Sequence, residues 1–208
     1  ALDAQGEALL AFARLIADVE GVRPAVLGYS MGGRVTLAAL RRDPRAFSAV
    51  ILEAAGFGPA TQAEREAVAK RDAACATRLR ADGLEAFMDF WEQLPLFASQ
   101  RDLPPDVRER LRAGRMANDA EALARTFEQA GQHVMPSRAE TLETLAVLRA
   151  GGTPLLYLAG ERDEKYRALA AQAAEAGATV CIIPGAGHNA HLEAPATFAK
   201  EVASFLRK

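Results

Sequence analysis

The first fifty residues alternate between helix-like and strand-like hydrophobic patterns. Apolar residues recur at helical spacing from Leu2 to Val19 and again from Met31 to Arg41, which predicts two helices. The short apolar runs Pro24–Gly28 and Phe47–Leu52 follow these helices and are typical of buried parallel strands. Asp43-Pro44 ends the second helix. Strands and helices joined by such short connectors predict an α/β fold.

The segment 56–150 has a different character, since no part of it shows the period-two alternation of a strand. Prolines interrupt it and leave separate helical stretches. We interpret it as a helical insertion that forms a cap. Its predicted helices are Gln62–Arg80, Gly83–Gln93, Pro105–Arg112, Glu121–Ala130 and Glu140–Arg149.

Strand and helix patterns return after residue 150, which indicates that the α/β fold resumes there. We therefore predict one α/β core formed by residues 1–55 and 151–208, interrupted by a cap of residues 56–150. The predicted elements of the second part are the strand Thr153–Ala159, the helix Lys165–Ala176, the strand Ala178–Ile183 and the helix Ala194–Lys208.

Composition narrows the possible functions. The 208 residues are 50% hydrophobic and 25% charged, with a formal net charge of −2. Without excess positive charge, neither nucleic acid nor a membrane is an expected partner, and no apolar run approaches the roughly 18 residues that a membrane-spanning helix needs. We interpret Cys75 and Cys181 as reduced core thiols, with a disulfide as the alternative, and so expect a cytoplasmic protein.

A glycine-flanked serine lies between the second predicted helix and the strand before it. The segment Gly28-Tyr29-Ser30-Met31-Gly32-Gly33 has the G-x-S-x-G pattern of a nucleophile elbow, in the strand–turn–helix context that the elbow requires. We expect the flanking glycines to let helix and strand approach each other, and the Met31 N–H to face a developing oxyanion. The alternative is a tight turn with a purely structural role.

A serine nucleophile needs a histidine base and an orienting carboxylate, which follow it in the order acid, histidine in this type of fold. Asp163 and His188 each follow a predicted strand and fit that order. Glu161 is the alternative acid and His191 the alternative base, whereas we interpret His133 as a residue of the cap surface or pocket wall. No motif with metal-ligand spacing is present in the sequence.

Four segments together resemble one enzyme family: GYSMGGRVTLAAL at the elbow, DFWEQLPLFASQ in the cap, GERDEKYRALA at the acid and IPGAGHNAHLEAP at the histidine. The chain is similar, from about Gly21 onwards, to the 2-succinyl-6-hydroxy-2,4-cyclohexadiene-1-carboxylate synthases of menaquinone biosynthesis. The resemblance implies an α/β-hydrolase fold with a helical cap. It also implies a lyase that expels pyruvate from a polycarboxylate without cofactor or metal.

The resemblance also implies roles for single residues. Ser30, Asp163 and His188 match the family's triad, and the expected substrate-binding residues are Tyr29, Arg34, Trp91 and Arg115. An ion pair on a helix surface is the alternative role for Arg34, packing within the cap for Trp91, and a solvated surface position for Arg115.

One position departs from the family pattern. Where the family usually has a further arginine, four residues before the aspartate of the first cap helix, this chain has Val68 before Asp72. Arg65 and Arg71 are both candidates to replace it.

Three functions stay open at this point, because fold and triad do not fix a reaction. The synthase is the leading hypothesis. The alternatives are a serine hydrolase of an ester or carbon–carbon bond with the same triad, and a non-catalytic binding module.

The elbow strand is the first strand of the predicted sheet, whereas an α/β-hydrolase sheet normally carries further strands before it. We therefore expect this strand to lie at a sheet edge with unpaired backbone groups. We also expect roughly 50 to 75 further residues ahead of Ala1, carrying those strands and the second oxyanion donor.

Overall fold

A single sheet of four parallel strands forms the centre of the structure. The computed structural model describes residues 1–207. The strands follow one another across the sheet in the order β1-β2-β3-β4, and all neighbouring pairs are parallel. They are β1 Ala25–Tyr29, β2 Ala49–Glu53, β3 Leu155–Gly160 and β4 Thr179–Ile183. These are the four strands that the hydrophobic pattern predicts, each shifted by at most two residues at either end, which confirms the α/β prediction.

Helices make up most of the rest of the described chain, and none of them is long and apolar enough to cross a membrane. The predicted end of the last helix at Lys208 lies outside the described residues. The helices are α1 Leu2–Glu20, α2 Met31–Arg42, α3 Gln62–Trp91, α4 Pro105–Met116, α5 Ala120–Ala130, α6 Arg138–Ala150, α7 Glu164–Glu175, α8 Ala190–Glu193 and α9 Pro195–Leu206, with 3₁₀ turns at Pro95–Asp102 and Gln132–Val134.

The alternation of side chains along the strands divides the core into two layers. Val50 and Leu52 of β2 belong to the large cluster that includes buried residues of α1, α2, α6 and α7. Ile51, between them, belongs to a smaller cluster with Phe198 of α9. Because successive strand residues point to opposite faces, continuous apolar runs are what a sheet covered on both faces requires.

Three helices differ from the sequence prediction. The sequence predicts that α4 ends at Arg112, but this helix continues to Met116. The predicted helices Gln62–Arg80 and Gly83–Gln93 form one element, α3, with a kink at Gly83, where φ is 81° and ψ 173°. The helix predicted from Ala194 begins at Pro195, and His191 lies in the separate short helix α8 before it. The reason is Pro195, which has no N–H and so favours the first turn of a new helix over the interior of a longer one.

The elbow strand β1 lies at an edge of the sheet. In the part of the chain that the structure describes, it pairs only with β2, from Ala25↔Ala49 to Tyr29↔Glu53. Leu27 on this strand is 43% exposed, although its partner Ile51 is buried. The edge position is as expected, and the strands expected before it stay a prediction.

Candidate active site

Ser30 occupies the sharp turn between β1 and α2. Its φ of 48° and ψ of −104° are unusual for a non-glycine residue, and its N–H donates to the carbonyl oxygen of Glu53 on β2 at 2.8 Å. This backbone conformation is costly and is maintained by the strand and helix on either side. The turn raises the serine hydroxyl above the carboxyl end of the sheet.

Small residues around the elbow allow α2 to pack closely on the sheet. A Cβ atom on Gly33 would lie 2.4 Å from the Cβ of Ala55, and one on Gly28 would lie 2.7 Å from the Cα of Gly33. A Cβ on Gly32 would meet nothing within 4 Å. The prediction that the flanking glycines permit close approach therefore fits Gly28 but is wrong for Gly32. Gly33 performs that role instead, because it faces the sheet while Gly32 faces open space.

Three predicted catalytic side chains form a continuous hydrogen-bonded relay. His188 Nε2 lies 3.0 Å from Ser30 Oγ, and His188 Nδ1 lies 2.8 Å from Asp163 Oδ2. The other carboxylate oxygen of Asp163 accepts a hydrogen bond from the N–H of Tyr166 at 3.3 Å. His188 and Asp163 are buried, so water competes little for these bonds.

The loops that carry the acid and the base touch through Gly160. A Cβ on this residue would lie 2.1 Å from the carbonyl oxygen of Gly187. The absence of a side chain at Gly160 thus brings the loop after β3 against the loop after β4. That contact holds the loops of Asp163 and His188 next to each other.

The alternative acid and base have other partners. Glu161 Oε2 accepts from the N–H of Gly185, which braces the histidine loop from outside. His191 donates from its backbone N–H and pairs through Nδ1 with the buried carboxylate of Glu53, at 3.0 and 2.7 Å. Neither has a hydrogen bond to Ser30 among residues 1–207.

Tyr29 lies between the two histidines that follow β4. Its ring centroid is 5.5 Å from that of His188 and 4.9 Å from that of His191. Burial, with the Glu53 carboxylate as a second cause, raises the pKa of the Tyr29 phenol. The phenol is therefore a neutral donor or acceptor over the whole physiological range.

A cavity of about 570 Å³ opens above Ser30, between the sheet and the helices of segment 56–150. Its size is that of a small-molecule site. Asp163 lies behind His188 and is not part of the wall. The predicted site residues that line the cavity are Tyr29, Ser30, Met31, Arg34, Trp91, Arg115 and His188.

The two predicted arginines reach the cavity from different elements and have protein partners there. Arg34 of α2 donates to the carbonyl oxygen of Ala130, the last residue of α5. Arg115 of α4 donates to Glu92 Oε1 at 3.0 Å and to Gln100 Oε1 at 2.7 Å. Both guanidinium groups are thus held in position before any ligand binds.

Trp91 both packs within segment 56–150 and lines the cavity. It stacks on Phe87 at 5.6 Å with 22° between the ring planes, and it meets Phe127 edge-on at 5.3 Å. Packing and ligand contact are therefore compatible roles for this residue.

The two candidates to replace the missing arginine differ in position. Arg65 donates to the carbonyl oxygens of His133 and Met135 and is absent from the cavity wall. Arg71 lies in that wall together with Lys165.

Sequence reasoning gave no role to Lys165 or to Tyr166, although both lie in the cavity wall. The Tyr166 ring packs on the His188 imidazole at 4.8 Å. Their position directly after Asp163, in the quoted segment GERDEKY, was the available signal.

Residues 2–201 match the model of the alpha/beta hydrolase family. Over 88% of its length the chain is 38% identical to 2-succinyl-6-hydroxy-2,4-cyclohexadiene-1-carboxylate synthase from Citrobacter koseri, and 37% identical to the protein of that name from Escherichia coli, covering 68% of each. A relative from Bacillus subtilis is 37% identical, and the chain covers 65% of its length. The chain thus spans 65 to 68% of the length of these three curated relatives.

Solved structures give the same picture of the fold. MenH from S. aureus is 29% identical and superposes with a TM-score of 0.87, over 97% of this chain and 75% of that one. A thermophilic esterase from Thermogutta terrifontis, 23% identical, superposes with a TM-score of 0.74 over 94% of this chain and 69% of that one, which shows a shared fold.

Proposed function

Because this chain belongs to the 2-succinyl-6-hydroxy-2,4-cyclohexadiene-1-carboxylate synthase family of the alpha/beta hydrolases, we propose that it is the lyase of that name. In this reaction, 2-succinyl-5-enolpyruvyl-6-hydroxy-3-cyclohexene-1-carboxylate loses pyruvate. One observation carries the proposal beyond family membership: the Ser30–His188–Asp163 relay opens into a cavity whose wall holds four cationic side chains.

The relay gives Ser30 the role of a base. His188 Nε2 accepts the Ser30 proton, and Asp163 stabilises the resulting imidazolium through Nδ1. The serine oxygen then removes the ring proton that is acidified by the succinyl ketone. The electron pair of that carbon–hydrogen bond moves through the ring, and the carbon–oxygen bond to the enolpyruvyl group breaks. Pyruvate leaves as its enolate, which takes up a proton at carbon. The His188 imidazolium gives up the proton it took from Ser30, and Ser30 keeps the ring proton, so the relay returns to its starting state.

The amino end of α2 stabilises the negative charge that develops on the ketone oxygen. Met31 is the first residue of this helix, so its N–H has no partner within the helix and lies at the positive end of the helix dipole. A donor that is fixed before the reaction stabilises the enolate at little reorganisation cost.

A cation-lined wall suits a substrate with three carboxylates. The four cationic side chains belong to α2, α3, α4 and α7, and so surround the ligand from both the core and segment 56–150. Guanidinium groups bind carboxylates in bidentate geometry, and this fixes the orientation of the ring relative to Ser30. We therefore propose that the partner of this protein is a small polycarboxylate substrate, and neither nucleic acid nor a membrane. We also propose that the protein acts in the cytoplasm.

Two assays on one preparation test the proposal. Pyruvate release is followed with lactate dehydrogenase and NADH, and ester hydrolysis is followed with p-nitrophenyl acetate. We expect pyruvate release that disappears in Ser30→Ala, with ester hydrolysis far slower. Rapid ester hydrolysis without pyruvate release would instead identify a serine hydrolase, and the absence of both activities a binding module.

A further inference from the structure

The four cations of the cavity wall are not equally available to a ligand. Arg34 donates to a backbone carbonyl, and Arg115 uses both terminal nitrogens on Glu92 and Gln100. Arg71 and Lys165 differ from them in their partners and exposure. The hydrogen-bonded partner of Arg71 is its chain neighbour Asp72, and its side chain is 54% exposed, against 18% for that of Arg115. The side chain of Lys165 has no hydrogen bond or salt bridge within residues 1–207, and both residues line the cavity.

Arg71 is attached to a buried carboxylate by one edge of its guanidinium. Nε donates to Asp72 Oδ1 at 2.9 Å and Nη2 donates to the same oxygen, which leaves Nη1 and one N–H of Nη2 free. The Arg71 side chain is 54% exposed, whereas that of Asp72 is 1% exposed. Asp72 thus anchors one edge of the guanidinium in the protein while the other edge is accessible.

His133 holds the side chain of Asp72, the carboxylate that positions Arg71. Its Nδ1 lies 3.1 Å from Asp72 Oδ2, and its Nε2 lies 3.2 Å from the carbonyl oxygen of Glu128. Both of these partners are oxygen atoms, so His133 is held by one contact at each ring nitrogen. A Cβ on the neighbouring Gly131 would lie 2.2 Å from Asp72 Oδ2, which shows how tightly the pair is enclosed.

Lys165 lies on α7 of the core, whereas Arg71 lies on α3 of segment 56–150, and both line the same cavity. The residue surface of Lys165 is exposed, but the protein atoms around the ammonium lower its pKa, and the positive charge of Arg71 is the next cause. No salt bridge to Lys165 is found in the described part of the chain. Two cations that repel each other across a cavity favour the binding of an anion between them.

We infer that Arg71 and Lys165 together form a carboxylate-binding subsite between α3 and α7, with Asp72 and His133 as the positioning residues of Arg71. The identity of the ligand rests on the proposed function: one of the three substrate carboxylates binds here, while the N–H of Met31 faces the ketone oxygen. A carboxylate in this place neutralises the repulsion between the two cations and links segment 56–150 to the core.

The single tryptophan of the chain provides a binding signal that does not depend on turnover, because Trp91 lines the same cavity. Fluorescence titrations use the Ser30→Ala protein with two ligands, the substrate named above and citrate, at constant ionic strength. In that background we compare Lys165→Gln, Arg71→Gln and Arg71→Lys. The matched control is Lys70→Gln, an exposed cation beside Arg71 on α3 that is absent from the cavity wall.

We expect Lys165→Gln and Arg71→Gln to raise the Kd about tenfold or more, as for the loss of a charge-assisted hydrogen bond. Arg71→Lys recovers part of the affinity, and Lys70→Gln leaves it unchanged. Circular dichroism melts show whether Arg71→Gln is still folded. If it is not, Lys165→Gln alone tests the subsite, because the Lys165 side chain has no hydrogen bond to another described residue that its loss would break. Unchanged affinity of Lys165→Gln for both ligands overturns the subsite.

The outcomes separate this inference from the proposed function. If citrate binding depends on Lys165 while the substrate neither binds nor releases pyruvate, the subsite is correct and the proposed function is wrong. If pyruvate is released by wild type and by Lys165→Gln with the same KM, the function is correct and the subsite is wrong.

Discussion

Two histidines three residues apart acquire different roles through their partners. His188 has Ser30 on one ring nitrogen and Asp163 on the other, which is the arrangement of a general base. His191 instead pairs with Glu53, a carboxylate that is fully buried at the end of β2. The sequence favours His188 by its position directly after the strand, and the geometry supplies the chemical reason.

Alanine substitutions should separate these two histidines. Ser30→Ala and His188→Ala each remove a member of the relay, so turnover should fall by about 10³-fold or more. His191→Ala should retain measurable turnover but lower the free energy of unfolding by about 1 to 3 kcal/mol, because Glu53 loses its partner. Steady-state pyruvate release and urea denaturation measure the two effects. A dead His191→Ala beside an active His188→Ala would reverse the assignment.

Arg34 shows how one guanidinium serves structure and binding at once. It donates to the carbonyl oxygen of Ala130 and also lies in the cavity wall. Arg34→Lys keeps the charge but cannot make both contacts, so kcat/KM should fall about tenfold. Arg42→Lys, in an exposed ion pair with Glu7 on the outside of α2, is the control and should behave as wild type. Equal values for the two variants would exclude a binding role for Arg34.

At the scale of elements, the kink in α3 decides where its aromatic residues point. At Gly83 a φ of 81° and a ψ of 173° interrupt the helical conformation. The residues after the kink include Phe87 and Trp91, which join Phe127 of α5 in an aromatic cluster against the cavity. An uninterrupted helix would give the residues after position 83 a different direction.

The kink can be tested with two glycines that differ in backbone conformation but not in available space. A Cβ would meet nothing within 4 Å at either Gly83 or Gly114, and only Gly83 has a positive φ. Gly83→Ala should therefore destabilise the protein by about 1 to 3 kcal/mol. Gly114→Ala, inside α4, should stabilise it by up to about 1 kcal/mol. Thermal melts measure both effects. If Gly83→Ala were more stable than Gly114→Ala, a side chain at position 83 would not strain the backbone of the kink.

At the scale of the whole molecule, the helix α1 and the edge strand β1 each expose large apolar side chains. Phe12, Leu15 and Val19 are exposed along one side of α1, and Leu27 is exposed on the edge strand β1. Edge strands with apolar neighbours promote association, since both unpaired backbone groups and apolar area are available.

We predict that the 208-residue chain self-associates through the exposed apolar side of α1, formed by Phe12, Leu15 and Val19. The double variant Leu15→Lys/Val19→Glu replaces two exposed apolar side chains on α1 and should lower the weight-average mass in sedimentation experiments. Val147→Glu, at an exposed position on α6, is the matched control and should leave the mass unchanged. An equal effect of both variants would indicate non-specific association.

The sequence alone determined the four strands, the helical character of segment 56–150 and the catalytic candidates Ser30, Asp163 and His188. Hydrophobic periodicity and the G-x-S-x-G turn are local signals, so they can be read from the sequence without knowing which distant residues are in contact. The close approach at Gly33 rather than Gly32, the pairing of Glu53 with His191, and the choice of Arg71 over Arg65 as a cavity residue were decided by tertiary structure. Each depends on partners between about twenty and 140 positions away in the chain, and a single sequence carries no record of which distant side chains meet.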